Sequence, residues 1–306
     1  MAVHLPLTKG AVEEVKDRML STRNLLRPAT GIPITYPSKE QVLGTYYLTS
    51  IPEEEESRRE EELKVFGDEG EVLLNYELGQ VSLRERVRVS IGGKLIITSV
   101  GRVLLNQALP ESLRFFNGVA GAGEVRSFVA QTIEREGDKA VAGLIDSLKD
   151  LGFHYAMSSG TSIAVSDGVI PGEKDQVLRE AEGRVDEIDR DFRRGLITDA
   201  ERRELSRVVW SEVTATLDEL AWNALGNQSP IKLMIVSGAA RATRDQVKQI
   251  SGMKGQVIDP TGKLVELPIR SNYQEGLSSF EYFVGARGAR KGLVDTALRT
   301  ADAGYL

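Results

Sequence analysis

Cysteine is absent, and histidine occurs only twice, as His4 and His154. Without thiols there is no disulfide, no thiolate zinc site and no cysteine nucleophile, which suits a reducing compartment. A His-based metal centre or a Ser-His-Asp relay would need one of two histidines that lie far apart and outside any catalytic motif. Aromatic residues make up only 6% of the chain, against 27% charged and 41% hydrophobic residues. That balance argues for two or three modest domains in 306 residues rather than one aromatic-rich core. No apolar run approaches the roughly 20 residues needed to cross a bilayer. The opening residues, Met1 to Pro6, lack the charged flank and apolar run of a signal peptide. The expectation is a soluble, cytoplasmic chain with no membrane partner. Excess positive charge is missing too: 39 Lys and Arg face 45 Asp and Glu, a formal net charge of −6. A general nucleic-acid coat is thereby excluded, while a local basic patch remains able to hold phosphate.

What the chain does have is periodicity. Val12, Val15 and Met19 predict a helix from Thr8 to near Leu20, followed by an irregular stretch marked by Pro28, Gly31, Pro33 and Pro37. A short apolar patch covers residues 42–48. The acidic run Glu53 to Glu56, with Glu60, Glu61 and Glu62, reads as a solvated loop or frayed helix. Val87, Val89 and Ile91 alternate with Arg86, Arg88 and Ser90, and Gly92-Gly93 then leads into Lys94-Leu95-Ile96-Ile97-Thr98, a β-hairpin signal. Residues 124–151 predict two helices broken near Gly137. Residues 152–170 read as β-like, with Ile163-Ala164-Val165 as the best strand, closed by Pro171 and Gly172.

Residues 173–225 predict an antiparallel helical hairpin that projects into solvent. Val177, Ala181, Val185, Ile188 and Phe192 form one narrow stripe, and Leu205, Val209, Val213, Leu217, Leu220 and Ala224 form another. Gly195 suits a helix C-cap, and Thr198 with Glu201 forms a capping box for the return helix. A second β-hairpin is expected around Asp259-Pro260-Thr261-Gly262. Residues 275–303 predict one long helix carrying Gly276, Gly285, Gly288 and Gly292, each costing on the order of 1 kcal/mol in a helix interior. The expected class is α+β, mainly helical.

Cofactor motifs fail on inspection. Gly121 and Gly123 begin G-x-G-x-x-G, but Arg126 takes the closing position and no strand precedes it; no phosphate-binding G-x-x-x-x-G-K-[ST] occurs. Asp186, Asp189 and Asp191 read as solvated helix charge rather than a cation site. The final helix is different. Ala289, Gly292, Thr296, Ala297, Thr300 and Ala301 place small side chains on one ridge, beside Arg287, Arg290, Lys291 and Arg299. A small-residue ridge flanked by cations suits close approach of a base pair and its phosphates. The alternative is a packing helix with solvated arginines.

Gln274-Glu275-Gly276-Leu277 and the run from Gly288 to Leu306 closely resemble the bridge helix of the β′ subunit family of bacterial RNA polymerase. Met1-Ala2-Val3-His4-Leu5-Pro6-Leu7 resembles the segment directly after that family's metal-binding aspartate loop, and residues 98–110, 149–153 and 250–255 match as well. The resemblance is weakest over residues 52–83. It implies the tail of the active-site domain at 1–22, a pore domain at 23–170, and the secondary-channel rim, or funnel, at 171–230. A loop region and the bridge helix would occupy 231–306. It also implies that Thr300 and Ala301 face the base pair at the insertion site, that Arg290, Lys291 and Arg299 contact nucleic acid, and that Gly195, Thr198, Asp199 and Glu201 belong to a factor-docking tip. Where the family usually reads Ser-Gly-Ala-Arg-Gly, this chain has Ser237-Gly238-Ala239-Ala240-Arg241-Ala242. Arg241 is thus the candidate triphosphate contact, one position out of register. Arg287 replaces a residue that is often histidine.

The implied function is a part in DNA-templated RNA synthesis by the multisubunit nucleotidyltransferase. Implied partners are the remainder of β′, the β, α and ω subunits, template DNA, RNA and secondary-channel regulatory factors, in the cytoplasm at the nucleoid. The three metal-holding aspartates would end just before Met1 and the trigger-loop segment would begin after Leu306. The chain would then be one piece of a split subunit or a shortened one. No cofactor is expected on it, Mg²⁺ would be held elsewhere in the complete enzyme, and the chain alone would be inactive. A regulatory docking module without catalytic role is the competing expectation, and an unrelated helical nucleic-acid-binding protein a third.

Overall fold

The computed structural model describes residues 4–305, so Met1, Ala2, Val3 and Leu306 of the matched segments lie outside the described residues. The chain divides into two compact units, one of residues up to 162 with Leu233–Arg241, the other of Ile163–Lys232 with residues from 242 onward. Both are mainly helical, and the first carries a small sheet, which makes the class α+β.

In the first unit, α1 (Lys9–Arg18) is capped by Thr8, whose hydroxyl accepts from the Ala11 N–H at 3.2 Å. The apolar patch at 42–48 is a helix, α2 (Glu40–Thr49), buried along most of its length against two later helices. The acidic run forms the single turn α3 (Glu53–Glu56) and a 3-10 turn at Glu60–Glu62, with no residue of either buried. β1 (Val65–Phe66) precedes α4 (Glu69–Glu77), whose start is capped by Asp68. β2 (Arg86–Ile91) and β3 (Lys94–Ser99) form the expected hairpin, with Ile91 opposite Lys94 and both turn glycines at positive φ. The sheet order is β1-β2-β3, and β1 runs parallel to β2. Val87 and Val89 point to one face and are fully buried against Val72, Val100 and Val103, which is the two-residue period in action.

α5 (Val100–Ala108) leaves the sheet directly from Ser99, and α6 (Ala122–Glu136) and α7 (Asp138–Ser159) meet at Gly137 as the sequence predicts. Leu48, Leu105, Leu109, Leu144 and Leu148 form the core among these helices. α2 and α7 cross with their backbones nearly touching: a Cβ on Gly44 would lie 1.8 Å from the Gly152 carbonyl oxygen. This overturns the β-like reading of 152–170. Residues 152–159 continue α7, because Gly152 serves the crossing rather than ending the helix. Ile163-Ala164-Val165 forms no strand, since no neighbouring strand is there to pair with it; a 3-10 turn, Val165–Asp167, follows.

In the second unit, α8 (Lys174–Arg193) and α9 (Asp199–Ala224) form the antiparallel hairpin. The short α10 (Pro230–Val236) follows, then α11 (Arg244–Ser251) and α12 (Ser279–Tyr305). Ala181, Val209, Trp210, Val213 and Leu217 close the hairpin seam together with Met253. Residues 253–269 form a narrow ribbon, bridged at Gly255–Ile269 and Ile258–Leu264, that turns at Asp259–Lys263. Arg202–Glu266 and Arg270–Glu182 ion pairs fasten this ribbon along one side of the hairpin. At the hairpin base, buried Lys174 pairs with Glu275, just ahead of α12.

The long helix begins at Ser279, four residues later than the sequence suggests. Gly276 has φ +85° and stands outside it, so it is not an interior glycine. Gly285 and Gly288 are explained by contact: an added Cβ would lie 3.2 Å from Ile269 Cδ1 and 2.6 Å from Val257 Cγ1, respectively. Gly292 meets nothing. No helix among the described residues is long and apolar enough to cross a membrane.

Candidate functional site

The sequence-predicted residues fall on three surfaces. Thr300, Ala301, Arg290, Lys291 and Arg299 share α12, while Gly195, Thr198, Asp199 and Glu201 share the hairpin tip. Arg241 belongs to the other compact unit.

α12 is anchored at its start and free beyond it. Ser278 and Glu281 form a capping box: the Ser278 N–H and hydroxyl donate to the Glu281 carboxylate at 3.1 and 2.8 Å, and the Glu281 N–H donates back to Ser278 Oγ. Glu281 also accepts from the Ser271 N–H and hydroxyl and the Arg270 N–H, which ties the helix to the ribbon. Burial pushes the Glu281 carboxyl up, but the hydrogen bonds from Ser278 and then Ser271 together outweigh it and hold the carboxyl at about 2. Val284 and Gly285 are buried; past Gly288 nearly every residue of the helix is exposed, Thr300 and Ala301 among them.

Along the ridge, the Thr296 hydroxyl donates to the Gly292 carbonyl and the Thr300 hydroxyl to the Thr296 carbonyl, each at 2.8 Å. With those donors satisfied within the helix, the ridge offers mainly methyl groups and close backbone. That surface suits a flat apolar face rather than a polar ligand. The cations beside it differ. Lys291 is half-buried and held by Asp295 at 2.7 Å, and its hydrogen bond, with the charge of Arg299 nearby, keeps the Asp295 carboxyl below its ordinary value. Arg290 and Arg299 are exposed and enter no ion pair among the described residues. Arg290 and Arg287 line an open groove of about 350 Å³ with Asp259, Thr261 and Phe283.

Arg241 stands on a turn that docks on the start of α6. The Ala122 N–H donates to the Ser237 carbonyl at 2.9 Å, and Gly238, at φ +74°, has no room for a Cβ, which would lie 2.7 Å from Ala122 Cβ. This contact accounts for Gly121, whose Cβ would approach the Ser237 carbonyl oxygen to 3.2 Å, but not for Gly123, where a Cβ would meet nothing. The docking opens a cleft of about 440 Å³ whose lining includes Arg241, Arg126, Lys39 and Tyr36. Arg126 stacks on the Tyr36 ring with 4.6 Å to the centroid, and donates to Tyr36 Oη at 2.9 Å. In the sequence Arg126 stands out only as the residue that spoils a glycine motif, and Tyr36 and Lys39 do not stand out at all. Pro37 and Ser38 next to Lys39 carry the turn signal that places them.

The hairpin tip is internally satisfied. The Gly195 N–H donates to the Phe192 carbonyl and the Leu196 N–H to the Asp191 carbonyl, a Schellman closure with Gly195 at φ +75°. The Thr198 N–H and hydroxyl donate to the Glu201 carboxylate, each at 2.8 Å, and hold it below its ordinary value. The hydrogen bond from Arg202, supported by Arg203, does the same for Asp199. These side chains shape the tip; the large exposed apolar group there is Leu196, at 69%. Among the described residues no group of three His, Cys, Asp or Glu could hold a metal ion.

Comparison with known proteins gives two family matches: "RNA polymerase Rpb1, domain 3" over residues 24–168 and "RNA polymerase Rpb1, domain 5" over residues 276–306. Among curated relatives, the DNA-directed RNA polymerase subunit beta' of Desulforudis audaxviator is 42% identical across the whole chain, which covers 26% of that protein. The subunits of the same name from Syntrophomonas wolfei and Thermosipho africanus are 38% and 39% identical, again across the whole chain, covering 27% and 19% of theirs. The chain thus spans about a quarter or less of the length of the curated relatives it matches.

Proposed function

This chain belongs to the β′ subunit family of bacterial DNA-directed RNA polymerases, and from that membership we propose that it works within the multisubunit enzyme in DNA-templated RNA synthesis. In this reading residues 1–22 end the active-site domain and residues 23–170 border the pore by which nucleotides reach the active centre. Residues 171–230 form the rim of that channel, and 231–306 supply a loop region and the bridge helix. The partners are the rest of β′, the β, α and ω subunits, template DNA, RNA and regulatory factors at the channel rim, in the cytoplasm at the nucleoid.

One observation carries the reading: the outer half of α12 is exposed, small-faced and flanked by Arg290 and Arg299, which enter no ion pair among the described residues. Such a ridge leaves room for a base pair against the helix at Thr300 and Ala301, with the two arginines toward backbone phosphates; Arg241, in the other compact unit, is read separately as the triphosphate contact. In this reading nucleotidyl transfer belongs to the assembled enzyme with its Mg²⁺.

The test is Ala301→Leu in the complete polymerase. Leucine is a good helix former and position 301 is exposed, so stability should change by less than about 0.5 kcal/mol. Elongation should fall sharply, because the leucine side chain occupies the space of the incoming pair. Normal elongation with assembly verified would mean that the ridge packs against protein.

A second reading, a factor-docking module without catalytic role, is favoured by the rigid tip that displays Leu196. It would gain if elongation tolerated Ala301→Leu while Leu196→Asp abolished the response to channel-binding factors.

A further inference from the structure

We propose that Thr45 and Thr49, buried on α2, are positioning residues for Arg241: they clamp Ala120, which sets where the turn carrying Arg241 docks. The inference rests on the reading of Arg241 given above for its chemistry, and on geometry for the clamp.

Residues 114–121 lead into α6 without regular secondary structure. Such a segment must find partners for its buried backbone groups outside any ladder. Side chains of α5 supply them at the middle of the segment. Asn106 accepts from the Phe116 N–H and donates to the Phe116 carbonyl, each at 2.8 Å, and Arg102 donates to Asn117 Oδ1 at 3.1 Å. At Ala120 the partners come from α2 instead. The Ala120 N–H donates to Thr49 Oγ1 at 2.8 Å, and the Thr45 hydroxyl lies 3.2 Å from the Ala120 carbonyl oxygen. Ala120 and both threonines are fully buried.

The two hydroxyls are not equal. Thr49 accepts from Ala120 and gives its one proton to the Thr45 carbonyl at 2.7 Å, so it is committed on both sides. Thr45 has one proton for two carbonyls, those of Val42 at 3.0 Å and Ala120 at 3.2 Å. Thr49 is therefore the stronger half of the clamp. α2 has little room to shift and relax it. Its backbone lies against that of α7 at Gly44 and Gly152, and Arg102 Nε holds the Thr49 carbonyl at 3.0 Å.

From Ala120 the position is handed on within two residues. The Ala122 N–H donates to the Ser237 carbonyl, and the Ala122 methyl stands where a Cβ on Gly238 would need space. Ser237 is itself buried, and its hydroxyl donates to the Met234 carbonyl and accepts from the Ala239 N–H, each at 3.2 Å. The Ala240 N–H also donates to the Met234 carbonyl, at 3.1 Å, which fixes the backbone up to the residue before Arg241. A side chain that touches no substrate can still set the reach of one that does, and a misplacement of about 1 Å can cost on the order of a hundredfold in rate.

Two substitutions at one position test this in the complete polymerase. Thr49→Val keeps the shape and deletes the hydroxyl, leaving the Ala120 N–H unpaired, whereas Thr49→Ser keeps the hydroxyl and deletes a buried methyl; both should destabilise. Only Thr49→Val should raise the half-saturating nucleotide concentration, by about tenfold, with the saturated rate little changed. The rise should be equal for all four nucleotides, because a triphosphate contact reads no base. Thr45→Val should act in the same direction and more weakly. A merely structural threonine would produce effects that follow stability in both Thr49 variants, and that result, or no change in Thr49→Val, overturns the proposal. Hydrogen exchange on the 306-residue chain gives a second readout. The Ala122 amide should exchange faster in Thr49→Val and not in Thr49→Ser; unchanged exchange in Thr49→Val overturns the clamp. Arg241→Ala separates the two readings. If it raises the half-saturating concentration and Thr49→Val adds nothing on that background, both stand. If it raises the concentration and Thr49→Val alone does not, the Arg241 reading stands and the clamp falls. If Arg241→Ala changes nothing, the Arg241 reading falls, and Ala122 exchange alone decides whether the clamp seats the turn.

Discussion

At the residue scale, Glu281 connects chemistry to architecture most directly. Its carboxylate accepts from two backbone N–H groups of the ribbon, the N–H of Ser278 and two serine hydroxyls, and this set overcomes burial to hold the carboxyl at about 2 rather than 4.5. A carboxyl depressed on folding contributes stability that is present above its unfolded value and lost as pH falls through its folded value. The Glu281 contribution should therefore be complete above about pH 4.5 and fade toward pH 2. Glu281→Gln should be less stable than the parent at pH 7, and thermal melts should show the difference shrinking across that window. A difference constant from pH 7 to pH 2 would remove the carboxylate from the account. The Ser278-x-x-Glu281 spacing is the same cap signature as at Thr198 and Glu201, yet apolar spacing starts the helix at 275. Apolar spacing alone does not register that Gly276 sits at positive φ, a conformation that ends any claim to helix there.

At the element scale, the hairpin and α12 pose opposite problems. α8 and α9 are legible because a narrow stripe and a cap agree, and the tip should respond accordingly. Thr198→Ala should cost about 1 kcal/mol in urea unfolding and Thr198→Gly only a few tenths. α2 is not legible as a helix, because it packs against both α5 and α7 and so has no polar face to make a stripe. Gly152 misleads in the same way, since a glycine that permits a helix crossing looks identical in sequence to one that ends a helix. The β-branched residues around Ile163 show the complementary failure, strand propensity without a neighbouring strand. In α12 the glycines divide by what they touch. Gly292→Ala should stabilise by up to about 1 kcal/mol, the helix-propensity difference, because nothing lies within reach of the new methyl. Gly288→Ala meets Val257 Cγ1 at 2.6 Å and should instead destabilise by about 1 kcal/mol, the cost of crowding a packed contact. Paired unfolding curves decide this, and equal gains in both variants would show that the ribbon yields freely.

At the scale of the whole molecule, the formal charge of −6 hides how the charge is distributed. Many cations are neutralised locally: Arg202 by Asp199 and Glu266, Arg207 by Glu204, Lys248 by Asp245. Cations without an ion pair among the described residues occur along the whole chain, and Arg290 and Arg299 on the outer half of α12 are among them. This separates three residues that the sequence groups together. Lys291 is held by Asp295, whereas Arg290 and Arg299 are not held in this way, so under the proposed function phosphate contact would fall to the two arginines. In a complete polymerase, neutralising Arg290 or Arg299 should lower the salt tolerance of the elongation complex on every template sequence, and each should reduce the slope of log affinity against log salt by about 1. Lys291→Ala should alter the slope much less, since that charge is already compensated within the helix. The measurement is complex lifetime across a salt series on two unrelated templates. A loss confined to one template would indicate base readout, and a large effect at Lys291 with none at the arginines would mean that the helix presents a different face to nucleic acid.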